Sequence, residues 1–366
     1  MIRKDQIIVD GAATFSQLQN TFEAAALAHT TGQRQLDITC AGHTIRLSIV
    51  GTKLARQLAS SFGHLITTDL VDPELTIQAW DAAESGVQLM ANSDAPSQLN
   101  DFDILFRTST DDRYFSEQRD TSLSWFDSES SQATSYIASA DAQYPDQIGR
   151  PFQKIITAWL QEQGVQSIHA GLVGVEDTGM LFVGNAGVGK TTSTISCLRA
   201  GMNYLGDDII GLQTHSNGFE GHSLFATCLV AEDHLKRFPY LQEHSLPTTQ
   251  STTEKTVVFL NEAFHQQIQR SISIKAILLP NIVNRAKTTY RPASKSDALF
   301  ALAPTSVMFL PRPDQASFNR LSEMVQQIPA YWLDLGHEIN RIPDSIRHLA
   351  REVSQGLSQT SRRDTA

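Results

Sequence analysis

The sequence predicts an α/β nucleotide domain preceded by a smaller α+β domain, and three stretches carry that prediction. In the first, the apolar run Leu181-Phe182-Val183 breaks into Gly184-Asn185-Ala186-Gly187-Val188-Gly189-Lys190-Thr191. This is the phosphate-loop pattern G-x-x-x-x-G-K-[ST], with a strand before it and a helical stretch behind. In the second, an apolar run from Tyr204 to Ile210 contains the adjacent carboxylates Asp207 and Asp208. The third is a short apolar strand, Val165 to Gly171, that holds His169.

From the N-terminus, residues 11–30 read as a helix, because Phe15, Leu18, Phe22, Ala25 and Ala26 recur at helical spacing. Leu36, Ile38 and Cys40 alternate, as do Ile45, Leu47 and Ile49, around Ala41-Gly42, which predicts a hairpin. A second helix is expected over 53–66. Strands are expected at Leu75 to Ala79 and at Asp103 to Phe106. The block 107–147 is polar and irregular. Its scattered aromatics (Tyr114, Phe115, Trp125, Phe126, Tyr136, Tyr144) read as strand residues packing a small sheet. Residues 1–147 thus form an α+β domain with no catalytic motif, suited to recognition of a substrate or partner or to support of the rest.

The second domain is expected over 148–353. Pro151 is placed in the first turn of a helix over 151–163, whose face carries Phe152, Ile155, Ile156, Trp159 and Leu160. Strands at 166–173 and 180–183 lead into the loop. Gly184, Gly187 and Gly189 allow backbone dihedrals that a Cβ would forbid, so successive N–H groups can turn onto a phosphate. The following helix points its positive end at the same anion. Residues 184–192, through Thr191 and Thr192, are therefore the candidate phosphate-binding set. Lys190 reaches the β- and γ-phosphates, and the Thr191 hydroxyl is a Mg²⁺ ligand.

A strand over 203–210 would send Asp207 and Asp208 to opposite faces. One then holds Mg²⁺ while the other accepts the proton of an attacking hydroxyl. Asp207 as proton acceptor with Asp208 on the metal is the first assignment, and the reverse stays open. Residues 212–250 are expected to be loops and a helix with substrate-facing parts. His234, Lys236 and Arg237 in that region, Lys255 ahead of an apolar strand, and Arg291 are secondary candidates for phosphate contact, against the plainer reading of solvated charges. KAILLP (275–280) and YWLDLG (331–336) read as strands. ALFALAP (298–304), Phe318 to Ile328 and 342–353 read as helices, and the tail from Ser354 as a disordered end.

Composition restricts the partners. Hydrophobic residues make up 41% and the formal charge is −10, from 29 Lys+Arg against 39 Asp+Glu. Nucleic-acid binding needs clustered cations, which an acidic chain of this kind does not offer. No stretch has the length of a membrane span or the pattern of a basic amphipathic helix. Three widely spaced cysteines (Cys40, Cys197, Cys228) suggest neither a disulfide framework nor a zinc site. A reducing cytoplasm, where ATP is at hand, is the expected location.

His169, the loop and the Asp pair, in that order, resemble the HPr kinase/phosphorylase family. The stretches at 222–239, 254–260, 275–280, 298–304 and 327–336 are similar to a bacterial branch of HPr-kinase-like proteins, some of which phosphorylate a serine of a lasso-peptide precursor. The resemblance spans about residues 150 to 345. It implies an HPr-kinase/PEP-carboxykinase-like nucleotide fold and a kinase using ATP and Mg²⁺. It also implies a serine of a protein or peptide as acceptor, with His169 near the reacting phosphoryl group. A homo-oligomer is compatible, HPr kinases being hexamers. Two departures stand out. Thr192 occupies the place of an acidic residue in true HPr kinases, and their glycine-rich signature with Glu and Arg is absent from 212–240. HPr itself and the reverse phosphorylase reaction therefore fall outside the expectation. A small-molecule alcohol as acceptor, a carboxykinase-like lyase and a non-catalytic ATP-binding scaffold are the alternatives.

Overall fold

Two large sheets organise the described residues. A computed structural model describes residues 10–68, 72–89, 105–108, 113–246, 255–308, 310 and 313–356. Glu254, residues 103–104 of the expected strand, and the tail beyond 356 lie outside the described residues.

The first sheet has seven strands, in the order Gln33–Cys40, His43–Val50, Leu75–Asp81, Gln132–Ile137, Ser122–Asp127, Tyr114–Arg119 and Leu105–Thr108. The first pair is the expected hairpin. Ala41 and Gly42 take φ of 51° and 84°, the signs a tight two-residue turn requires. Helix Thr52–Phe62 makes the crossover to Leu75–Asp81, which runs parallel to His43–Val50. Helix Gly11–Ala28 starts at Asp10, whose carboxylate caps Ala13 N at 3.0 Å, and lays Phe15, Leu18 and Phe22 on one face of the sheet.

The polar block at 107–147 holds three antiparallel strands, as the reading of its aromatics as strand residues expects. Its adjacent aromatics explain this. Neighbours on a strand point to opposite faces, so Tyr114 and Trp125 join the core under helix Gly11–Ala28 while Phe115 and Phe126 join the core on the other side. A chain segment with one ring for each face is held in a sheet despite its serines.

The second sheet has eight strands. Its path runs Asn203–Gly206, Val165–Val175, Ile209–His215, Gly218–Ser223, Ser271–Ile282, Ala330–Leu335 and Thr289–Pro292. Thr178–Val183 pairs with both Val165–Val175 and Ser271–Ile282. Thr178–Val183 is buried on both faces, in keeping with the apolar run Met180 to Val183. Helices Lys295–Met308 and Gln315–Gln327 pack one side of this sheet and helix Ile342–Ser354 the other. A small third sheet joins Thr227–Ala231, Lys255–Phe259 and Ser245–Leu246.

Three expectations change. The helix placed at 151–163 is Gln153–Glu162, because Phe152 takes a left-handed φ of 53° and ends any helical run from Pro151. Much of 212–250 is strand rather than loop, since the chain folds back at Gly218 and the apolar Phe219 and Val230 keep sheet partners. The strand placed at 203–210 is divided, with Asp207 and Asp208 at the bend between Asn203–Gly206 and Ile209–His215. Among the described residues no helix is long and apolar enough to cross a membrane. The three cysteines are buried and unbridged.

The two sheets share an interior. One apolar cluster joins Ile45, Leu47, Ile77 and Phe126 of the first sheet to Ile155, Ile156 and Trp159 of the helix, and to Val165, Ile209 and Phe225. Polar contacts add to it: Ala226 N donates to Ser61 O at 2.9 Å, and Arg270 Nε donates to His64 O at 2.9 Å. The His64 ring meets Ser223 Oγ at 2.8 Å while its Nδ1 is enclosed without a partner among the described residues. Burial, helped by the charge of Arg270, pushes the His64 pKa down to about 3. The unfolded chain then binds the extra proton between about pH 6.5 and 3, so stability falls as pH drops through that window. At pH 5 the expected loss is about 2 kcal/mol relative to pH 7.5. Urea unfolding at the two pH values checks this, with His64→Gln expected to narrow the difference. An equal difference in both proteins would remove His64 as the cause.

Candidate functional site

All three glycines of the phosphate-loop pattern take positive φ: 135° at Gly184, 83° at Gly187 and 106° at Gly189. Gly189 caps helix Lys190–Arg199, and a Cβ there would stand 2.5 Å from Leu335 Cδ1. Asn185, Ala186 and Gly187 form an exposed crest, and Val188 is half-buried behind it. Lys190 lies beneath, 6% exposed, with Nζ donating to Gly184 O at 2.6 Å and Asn185 O at 3.1 Å. An ammonium carries three protons, so one N–H remains beyond these two bonds. Burial lowers the pKa of Lys190, and the charges of Asp208 and Asp207 work against that shift.

The long strand Val165–Val175 positions the acid pair. Gly206 stands opposite Leu172 and Ile209 opposite His169, so Asp207 and Asp208 fall opposite Gly171 and Ala170. Ala170 N donates to Asp208 O at 3.1 Å, which keeps the ladder running through the bend. Gly171 makes room for it: a Cβ there would come within 2.7 Å of Thr194 Cγ2, on the helix that leaves the loop.

The two carboxylates part as strand geometry requires. Asp207 is buried, hydrogen-bonded by the Thr191 hydroxyl and, at 3.2 Å, by Tyr204 Oη. Burial and the charge of Asp208 raise its pKa to about 6. Asp208 faces the other way, where His169 Nε2 lies 2.9 Å from Oδ1 and the Arg150 guanidinium pairs with Oδ2. Burial alone would raise its pKa, but Arg150 and His169 outweigh burial and hold it far below the usual carboxylate range. Asp208 is thus an anion held by two partners, while Asp207 shares its side with Thr191.

A cavity of about 350 Å³ opens beside Asp208 and His169. Ala186 joins its wall from the loop. Arg150, Lys154 and Lys255 line it together with Glu117, Arg119, Ser122, Ser124 and Ser135 of the first sheet. Arg119 forks onto Asp146 at 3.1 and 2.5 Å. Burial raises the pKa of Glu117 and lowers that of Lys154.

The sequence-predicted residues divide accordingly. His169, Lys190, Thr191, Asp207, Asp208 and the loop come together. Lys255 joins the cavity wall. Thr192 sends its hydroxyl to His234 Nε2 at 2.9 Å, so the two side chains engage each other. Lys236 is held by Glu232 at 3.1 Å on an exposed helix, the solvated-charge reading, and its neighbour Arg237 is exposed beside it. Arg291 pairs with Asp334 at 3.2 Å, lies over Trp332, and has no part in the cavity wall. Sequence reasoning missed Arg150. It sits between Gly149 and Pro151 with no local pattern around it, and only folding brings it 58 residues along the chain to Asp208.

No family model and no curated protein matches this sequence. Among solved structures, the chain is similar to the HPr(Ser) kinase/phosphatase from Coxiella burnetii, at 15% identity and a TM-score of 0.29. The match covers 52% of this chain and 98% of that one. A likeness at that score carries no functional weight beside the geometry of the site.

Proposed function

We propose that this chain is an ATP- and Mg²⁺-dependent kinase that transfers the γ-phosphoryl group to a hydroxyl. The observation that carries the reading is the meeting of three things at one place: a glycine loop with a buried lysine, a Thr191–Asp207 oxygen pair, and an Asp208 anion facing a cavity. Phosphoryl transfer asks mainly for positioning and charge stabilisation, and these groups supply both.

The loop amides and Lys190 hold the triphosphate, with the third N–H of Lys190 turned to a phosphate oxygen. Thr191 and Asp207 are hard oxygen donors on the loop side, a set that fits Mg²⁺. A Mg²⁺ ion held by Thr191 and Asp207 would supply charge neutralisation for the phosphoryl group in transfer. Asp208 then takes the other task, which reverses the first assignment made from sequence. Its carboxylate receives the acceptor's hydroxyl as a hydrogen bond. As the acceptor oxygen bonds to the γ-phosphorus, the bond from that phosphorus to the β–γ bridging oxygen breaks and ADP leaves with the electron pair. The hydroxyl proton passes to Asp208. A carboxylate with so low a pKa takes the proton late, once bonding to phosphorus has made the hydroxyl acidic. His169 and Arg150 fix Asp208 in place and lie beside the charge that develops. Three buried free thiols fit a reducing compartment, and so a cytoplasmic kinase.

A second reading, a nucleotide-bound scaffold, is favoured by one detail. Thr192, bonded to His234, offers no carboxylate beside the metal position. Transfer of labelled γ-phosphate from ATP into a lysate of the source cells, with Mg²⁺ or with a chelator, separates the two. Mg²⁺-dependent labelling is expected. Tight ATP binding without transfer in any condition would sink the kinase and leave the scaffold.

A further inference from the structure

The inward face of the first sheet changes character over the cavity. Strand register sets three cross-strand rows: Phe115–Phe126–Ala133, then Glu117–Ser124–Ser135, then Arg119–Ser122–Ile137. The first row belongs to the apolar core. The next two are polar except for Ile137, yet covered by protein, with Ser122, Ser124 and Ser135 all buried. Side chains on one face of a covered sheet are ordinarily apolar throughout, and buried polar groups there cost stability unless they are used. Here both rows line a cavity rather than a packed core.

The wall also holds hydrogen-bonding capacity. Arg150 Nε is enclosed with no hydrogen-bond partner among the described residues, and Arg119 Nε, likewise without a hydrogen bond there, has the Glu117 carboxylate 4.0 Å away. Phe152, another wall residue, takes the left-handed φ of 53°, a costly conformation for a bulky side chain and one that tends to mark functional sites. It gives the cavity one aromatic surface among carboxylates, hydroxyls and guanidinium groups.

We propose that the first sheet is the acceptor site of this kinase, and that the cavity binds a polyhydroxylated small molecule of monosaccharide size and presents one of its hydroxyls to Asp208. The inference rests on the kinase reading above and names its substrate class. A volume of about 350 Å³ lies near the small end of the range for small-molecule sites, roughly 300–1,000 Å³. Donors and acceptors in two adjacent rows suit a ligand with several neighbouring hydroxyls, and Phe152 suits the apolar face of its ring. A serine side chain entering from a protein would reach Asp208 but leave most of the cavity along these two rows unfilled, where Ser124 now bonds Ser135 at 2.6 Å and Ser122 accepts from Gln147 at 2.8 Å. The polyol hydroxyl is the attacking oxygen: it bonds to the γ-phosphorus, its proton passes to Asp208, and ADP leaves with the electron pair of the broken bond.

The test uses the full chain, Mg²⁺, γ-labelled ATP and a panel of free hexoses, pentoses, hexitols and inositol. Label is expected in at least one of these, resolved as a small phosphorylated product. Ser124→Met, which fills the cavity, is expected to lower kcat/KM for that acceptor on the order of 100-fold. The isosteric Glu117→Gln is expected to raise KM about tenfold with a smaller change in kcat, and it keeps the test open if Ser124→Met does not fold. ATP affinity, measured by calorimetry, should stay within about twofold of wild type in both, since neither residue touches the loop. Label passing only to protein serines, no labelled panel member despite bound ATP, or variants with wild-type kcat/KM would each overturn the acceptor assignment while leaving the kinase standing. Failure to bind ATP would take both readings down.

Discussion

Asp208→Asn is expected to lower the rate of phosphoryl transfer by about 10²–10⁴ with little change in the affinity for ATP. The amide keeps the shape of the carboxylate but loses its charge, so it neither receives the proton nor holds Arg150 and His169 in one geometry. It would also present an NH₂ where Arg150 or His169 now meets an oxygen, which loosens both. The nucleotide side is spared because Asp208 is held by His169 and Arg150, while the Thr191 hydroxyl bonds Asp207 instead. Single-turnover transfer beside ATP titration makes the measurement. A variant that loses ATP affinity and keeps its transfer rate would move Asp208 to the metal and restore Asp207 as the proton acceptor, the assignment first made from sequence.

Lys190→Met has the other large effect. Methionine fills much of the same buried space, so the loop should still fold, but the ammonium proposed to meet the phosphates is gone. Removing one preorganised charge stabiliser from a water-poor site costs roughly 3–4 kcal/mol of transition-state stabilisation, or about 10²–10³ in rate. Part of that loss should appear as weaker ATP binding, which separates Lys190 from Asp208. Two loop carbonyls, Gly184 O and Asn185 O, also lose their donor, so some loosening of the crest is included. Nucleotide affinity and transfer both at wild-type levels would show that the triphosphate does not lie over this loop.

Much of this site was legible because its chemistry is local. Gly184, Gly187 and Gly189 are needed where the backbone takes positive φ, and spacing alone identifies such a loop. His169 and the Asp pair were legible as residues but not as partners, since their pairing depends on the register between two strands. The bend at Asp207-Asp208 also escaped the reading, because an apolar run with two charges in it looks like one strand. Arg150 and the polar rows of the first sheet left no local signal of function. What identifies Glu117, Ser124 and Ser135 is that three strands bring them side by side, and alternation within one strand does not reveal which residues of its neighbours stand opposite. The aromatics of 107–147 did point to a sheet, yet the abundance of serine and aspartate hid the strands that carry them.

Helix Gln153–Glu162 packs its Ile155, Ile156 and Trp159 into the same interior as Ile77 and Phe126, across the position near residue 147 where the sequence invites a cut. The half that carries the phosphate-loop pattern is therefore not a portable module. Severed there, it would present a broad oily surface to water and tend to clump with its own copies. Inheritance is bound by the same fact. On the acceptor assignment proposed above, lineages that change what the protein acts on must alter a sheet that is also half of the shared scaffold, so taste in substrates and sheer survival of the molecule are selected together.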